Sequence, residues 1–167
     1  MHNKSHYIVT GALIAALYVI LTIFSNLFGL ANGVIQVRLS EALTVLPLFI
    51  PAAVPGLFVG CLIANVLTGC ALLDIILGAL ATLVGAYGTL LIGRYMSHSR
   101  PGRYLASIPP IMANTIAIPP ILAIVYNFEG SLLYFVTTIF ISELVSAGLL
   151  GQLLLKVLLP YKDKFGF

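Results

Sequence analysis

Charge is what this sequence has least of: eight lysines and arginines and five acids in 167 residues, or 8 % of the chain. Soluble domains carry about 25 %, so a water-exposed globular surface is excluded. A net charge of +3 is too small and too dispersed for nucleic-acid binding. Tryptophan is absent and cysteine occurs twice, at Cys61 and Cys70, both in apolar surroundings. Two such residues make no disulfide framework or metal site and are expected to be small buried hydrophobes. Of the three histidines, His2 and His6 have i, i+4 spacing but lie on a charged N-terminal tail, where solvation is the expectation, and His98 is isolated. The chain has no G-x-x-x-x-G-K-[ST] loop, so it does not hydrolyse ATP by that device, and no H-E-x-x-H or G-x-S-x-G. No nucleophile stands with a base, so an enzyme is not expected.

Apolar sequence fills the space that charge leaves. Hydrophobic residues make up 60 % of the chain and mean hydropathy is +1.12. The first apolar run, Tyr7 to Phe28, has about the ~20 residues needed to span a bilayer and no small-residue cleavage site after it. Six spans fit, at about 7–28, 40–52, 54–69, 72–96, 108–126 and 131–159. The expectation is an all-α membrane protein, a six-transmembrane-helix bundle forming a single domain over 1–167. Strand-like alternation is missing, which excludes a barrel. With the N-terminus inside, Lys4, Arg94, Arg100, Arg103, Lys156, Lys162 and Lys164 fall on the cytoplasmic side and Arg38 alone outside. That bias places both termini in the cytoplasm. Tyr7, Tyr95, Tyr104 and Tyr161 then mark one interface, and Tyr126 and Tyr134 the other.

Small residues recur at helical spacing: Ala12 and Ala16 with Ala15 beside them, then Gly56, Gly60 and Ala64, then Gly78, Gly85 and Gly88, then Ser142, Ser146 and Gly151. Helices in lipid associate by close backbone approach, so these faces are expected to be contacts. Pro47, Pro51 and Pro55 are spaced by four, and Pro109-Pro110 and Pro119-Pro120 punctuate the fifth span. Each proline removes a backbone donor, so kinks or breaks are expected there, lining a cavity or absorbed by packing.

The polar residues sort by depth. Arg38, Glu41, Asp74 and Glu129 fall at or near the outer ends of their spans, with Asn65 about one turn below. Asn114 and Glu143 each lie about 12 residues from an outer end, ~18 Å down and near the midplane of a ~30 Å core. A carboxylate there costs at least ~2.5 kcal/mol and needs a partner, for which Asn114 has the right depth. Two readings stay open: a protonated Glu143 held by Asn114 as a structural pair, or a ligand site. Arg38 against Glu41, Asp74, Glu129 and Glu143 leaves the outer half net acidic, which favours cations over carboxylates and phosphates. Carboxylates also accept paired N–H donors from a heterocycle edge. Glu129 sits in Asn127-Phe-Glu-Gly130, which reads as a loop.

Several blocks carry a family resemblance: Ala12-Leu-Ile-Ala-Ala16, Gln36-Val-Arg-Leu-Ser-Glu-Ala-Leu-Thr-Val-Leu-Pro47, Pro55-Gly-Leu-Phe-Val-Gly-Cys-Leu-Ile-Ala-Asn65 and Leu73-Asp-Ile-Ile-Leu-Gly-Ala-Leu-Ala-Thr-Leu83. The chain resembles the S components of energy-coupling factor (ECF) transporters, and within them the QueT group linked to queuosine precursors. The resemblance implies a substrate-binding subunit in a bacterial cytoplasmic membrane. Its partners would be a transmembrane coupling subunit and two ATPases, which use the ATP, with no cofactor of its own. Ala12 and Ala16 would match the docking surface. A heterocyclic substrate such as 7-aminomethyl-7-deazaguanine would meet Glu143 and Asn114, then Asp74 and Glu41, with Arg38 or Asn65 on its ring oxygen. A self-contained proton-coupled carrier, with Glu143 as relay, and an S component for another cationic or neutral heterocycle are the alternatives.

Overall fold

The computed structural model describes residues 4–31, 34–96, 100–127 and 129–161; His2, His98, Lys162 and Lys164 lie outside them. The described residues are helical with short connections, in the order α1 (Lys4–Leu27), a 3-10 helix (Leu39–Leu48), α2 (Ala53–Leu67), α3 (Leu72–Met96), α4 (Arg100–Leu105), α5 (Ile108–Ile124), α6 (Leu132–Glu143), a π-helical stretch (Leu144–Leu150) and α7 (Gly151–Leu158). Among the described residues four stretches are long and apolar enough to cross a membrane: Lys4–Leu27, Leu72–Met96, Pro101–Ile124 and Leu132–Tyr161. The 3-10 helix and α2 are apolar but shorter.

Small residues set the packing, because two helix backbones meet only where no side chain separates them. A Cβ placed on Gly56 would stand 2.5 Å from the carbonyl oxygen of Gly11, and one on Gly60 would stand 2.9 Å from Cβ of Tyr18. Contacts rise in step along both helices, so α1 and α2 run parallel. The α3–α5 seam is antiparallel. Gly88 faces Pro109 and Gly85 faces Pro110, with built Cβ positions 2.6 Å from proline carbons, while Gly78 approaches Ile118 at the other end.

The second expected span is neither an α-helix nor as long as 40–52. Its core is the 3-10 helix, whose ~2.0 Å rise per residue carries ten residues over ~20 Å. Pro47 sits inside it. It packs against α1, α2, α3, the π-helical stretch and α7, and eight of its ten residues are buried. A backbone this irregular is tolerated at depth because protein encloses it. Pro51 lies in the turn that separates the 3-10 helix from α2, and the remaining prolines of the expected kinks break nothing. Pro55, Pro109 and Pro110 occupy first turns, where the N–H has no helical partner to lose, and α5 continues through Pro119-Pro120. The sixth expected span is one helical path, with π geometry inserted directly after Glu143.

Leu48 lies against Gly93 near the end of α3, Tyr7 donates to the carbonyl of Pro51, and His6, Ile50 and Leu158 line one groove. The start of α1 and the end of α7 therefore share one end of the bundle. The exterior is apolar, with Leu13, Leu17, Ile20, Val59, Ile63 and Val84 among its exposed side chains. The interior holds Thr22, Ser40, Glu41, Asn65, Thr82, Asn114 and Glu143, each at most 7 % exposed. That distribution inverts the soluble one and suits a lipid surround.

Candidate functional site

At the centre of the bundle four elements each contribute a polar side chain. Tyr18 of α1 is fully buried and donates its phenol hydrogen to Oε1 of Glu41 on the 3-10 helix. From α5, the Nδ2 amide of Asn114 donates to Oε1 of Glu143 at 2.9 Å and, at 3.4 Å, to Oε2 of Glu41. Glu143 ends α6. One amide thus bridges two buried carboxyls. The second oxygen of Glu143 is buried and has no hydrogen-bond partner.

Gln36, Arg38, Glu41, Gly78, Thr82, Asn114, Ile118 and Glu143 enclose a cavity of about 10 Å³, room for about one water molecule. Arg38 forms part of its wall. Its Nε donates to the carbonyl of Ala31 at 2.6 Å and its Nη1 to Oδ1 of Asn65 at 3.2 Å. The start of the 3-10 helix is tied to α1 by Ser40 and Thr22 hydroxyls 2.8 Å apart, and by the Leu39 N–H donating to Oγ of Ser25 at 2.9 Å.

The polar residues singled out from sequence divide into four groups. Glu143, Asn114, Glu41 and Arg38 line the cavity. Asn65 stands behind it and orients Arg38. Asp74 is turned to Tyr126, whose hydroxyl donates to Oδ2 at 2.8 Å and accepts the Ala71 N–H at 3.0 Å. Glu129 is exposed. The expectation of a four-acid outer field is therefore corrected: the cavity itself holds two carboxyls and one guanidinium.

Glu41 is corrected as well. It was placed near the outer mouth, yet it shares Asn114 with Glu143. The non-helical segment before it is already inside the bundle, with Gln36 and Arg38 only 8 % and 6 % exposed, so the 3-10 helix starts below the mouth and its third residue reaches the centre. Three contributors escaped the sequence reading: Tyr18, Gln36 and Thr82. Tyr18 had one available signal, since it sits one turn beyond Ala15 on the face that meets Gly60. Ala12 and Ala16 take no part in the centre. Both are exposed on α1, and Ala12 helps line an apolar groove of about 330 Å³ with Ile8, Gly11, Pro55 and Val59.

Such a site can accept hydrogen bonds and balance positive charge, and among the described residues no group of three or more His, Cys, Asp or Glu side chains could hold a metal. No curated protein and no solved structure matches the chain. The family model described as QueT transporter matches residues 8–160, which take in every residue of the central site. The protein belongs to the QueT transporter family.

Proposed function

We propose that the protein is the substrate-binding subunit of an ECF-type importer, spanning the bacterial cytoplasmic membrane six times with both termini inside. It would capture a queuosine precursor such as 7-aminomethyl-7-deazaguanine. The observation that carries this reading is the buried Oε2 of Glu143, without a partner among the described residues, on a side chain that lines a small polar cavity beside a second carboxyl. A buried acceptor without a donor is costly, and a ligand bearing paired N–H groups or an ammonium supplies what is missing. The amine suits the two carboxyls, the pyrimidinone edge offers adjacent donors, and Arg38 can meet the ring oxygen.

At about 10 Å³ the cavity is closed to any heterocycle, so capture requires its walls to part. The segment at Gln36–Arg38 is the non-helical part of that wall. Coupling subunit and ATPases would supply the energy for release, docking on the exposed Ala12/Ala16 face.

Calorimetry on the purified chain tests the site. Glu143→Gln weakens binding at least tenfold, because losing one partner of a buried charged contact costs ~2–5 kcal/mol, and Glu129→Gln leaves it unchanged. Tight biotin binding, or wild-type affinity in Glu143→Gln, sinks the assignment. Uptake by liposomes holding this chain alone would establish the proton-coupled carrier instead. Topology is checked by impermeant thiol labelling of single cysteines in a Cys70→Ser background: a cysteine at Glu129 labels from outside and one at Tyr104 does not.

A further inference from the structure

A second recognition feature lies at the opposite end of the bundle from Arg38. Between the short α4 and the end of the last helical path is an open groove of about 460 Å³, lined among others by Arg103, Tyr104, Leu149, Gln152, Leu153 and Lys156. No acid lines it. Among the described residues the Nε–H of Arg103 is buried without a hydrogen-bond partner, a donor that an anion would satisfy. Gln152 is already committed. Its Nε2 donates to the Arg103 carbonyl and to Oγ of Ser107, both at 2.9 Å, and so holds α4 against the last helix and fixes the groove's shape.

The groove is amphiphilic along its length. Leu149, Leu153 and Lys156 follow one another at helical spacing, with Leu149 and Leu153 at 59 % and 52 % exposed. Moving along that face, apolar surface gives way to cationic surface at the end where Tyr95 and Tyr104 are 84 % and 73 % exposed. Exposed tyrosines of this kind mark the headgroup level of a bilayer. Basic clefts between membrane helices at that level recognise anionic headgroups.

We propose that this groove is a binding site for an anionic phospholipid, its phosphate held by Arg103 and Lys156 and one acyl chain lying along Leu149 and Leu153. The Arg103 guanidinium supplies directed donors and the Lys156 ammonium supplies charge. The site is separate from the central cavity and does not depend on the substrate proposed for it.

Native mass spectrometry of the detergent-purified protein tests it, using short-chain phosphatidylglycerol, phosphatidylcholine with the same chains, and inorganic phosphate. Phosphatidylglycerol is retained at least tenfold better than phosphatidylcholine, and Arg103→Gln/Lys156→Gln removes that preference. Raising the salt concentration on the wild-type protein weakens phosphatidylglycerol selectively, a measurement that needs no variant to fold. Equal retention of the two lipids, or an unchanged preference in the double variant, overturns the site. Displacement of the lipid by millimolar inorganic phosphate overturns the lipid as its occupant and assigns the groove to a free anion.

Discussion

The central cluster and the α1–α2 seam are neighbours on α1, yet they are held together in opposite ways. The cluster is made of side chains that reach across the bundle, with Tyr18, Glu41, Asn114 and Glu143 meeting from four elements. The seam is made of side chains that are missing, with Gly56 against the backbone of Gly11 and Gly60 against Ala15 and Tyr18. In lipid the exterior is as apolar as the interior, so burying hydrocarbon gives helices little reason to associate. Close packing and buried polar contacts remain, and this protein assigns one to each region. The cluster ought to be sensitive to chemistry and indifferent to small changes of size, and the seam the reverse.

Asn114→Leu attacks that contrast hardest. It takes the amide donor from both the Glu143 and the Glu41 carboxyls at constant bulk, a defect of ~1–3 kcal/mol for each group left unsatisfied. Thermal unfolding in detergent, followed by labelling of the buried Cys61, falls sharply, and ligand binding is lost. A melting point equal to wild type means the cluster contributes no stability. Tyr18→Phe is the next largest. It deletes one hydrogen bond to Glu41 while leaving the Cβ that packs on Gly60, a loss of ~1.5–3 kcal/mol by the same assay. An unchanged melt there removes Tyr18 from the cluster.

Gly56→Ala probes the other region. The added methyl would stand 2.5 Å from the Gly11 carbonyl oxygen, and forcing the backbones apart costs ~1–3 kcal/mol. Substrate affinity, measured on the fraction that stays folded, is unchanged, because the seam touches no ligand. Weakened affinity would merge the two regions into one. The smallest expected effect on the isolated chain is that of Ala16→Trp. Ala16 is exposed, so stability changes by less than ~0.5 kcal/mol and ligand binding in detergent persists. Uptake and co-purification with the coupling subunit are abolished, and uptake at the wild-type rate would return that face to ordinary lipid contact.

Much of the architecture was legible residue by residue. The four long spans follow from uninterrupted apolar runs, because a hydrocarbon slab admits nothing else of that length. The pairing of Asn114 with Glu143 followed from equal depth, since a lone carboxyl at the midplane has to find a donor at its own level. Gly56, Gly60, Gly85 and Gly88 announced contact faces by their spacing. Two features were illegible for a common reason. Neither the 3-10 geometry of Leu39–Leu48 nor the π-helical stretch after Glu143 has a local signature, because each is selected by what surrounds it.

Composition and pattern alone therefore determined that this chain is a helical membrane protein, that Glu143 sits deep, and that Asn114 is its partner. Those outcomes depend on quantities carried by each residue separately: its transfer energy, its position along a span and the bulk of its side chain. Only the tertiary structure decided that Glu41 leaves the mouth to join Glu143, that Asp74 belongs to Tyr126, and that Arg103 and Lys156 share one groove. Each of these turns on the rise and rotation of one element relative to another. Gln36 and Arg38 are buried before the 3-10 helix begins, so the depth of Glu41 is set by where the chain enters the bundle, which no single residue carries.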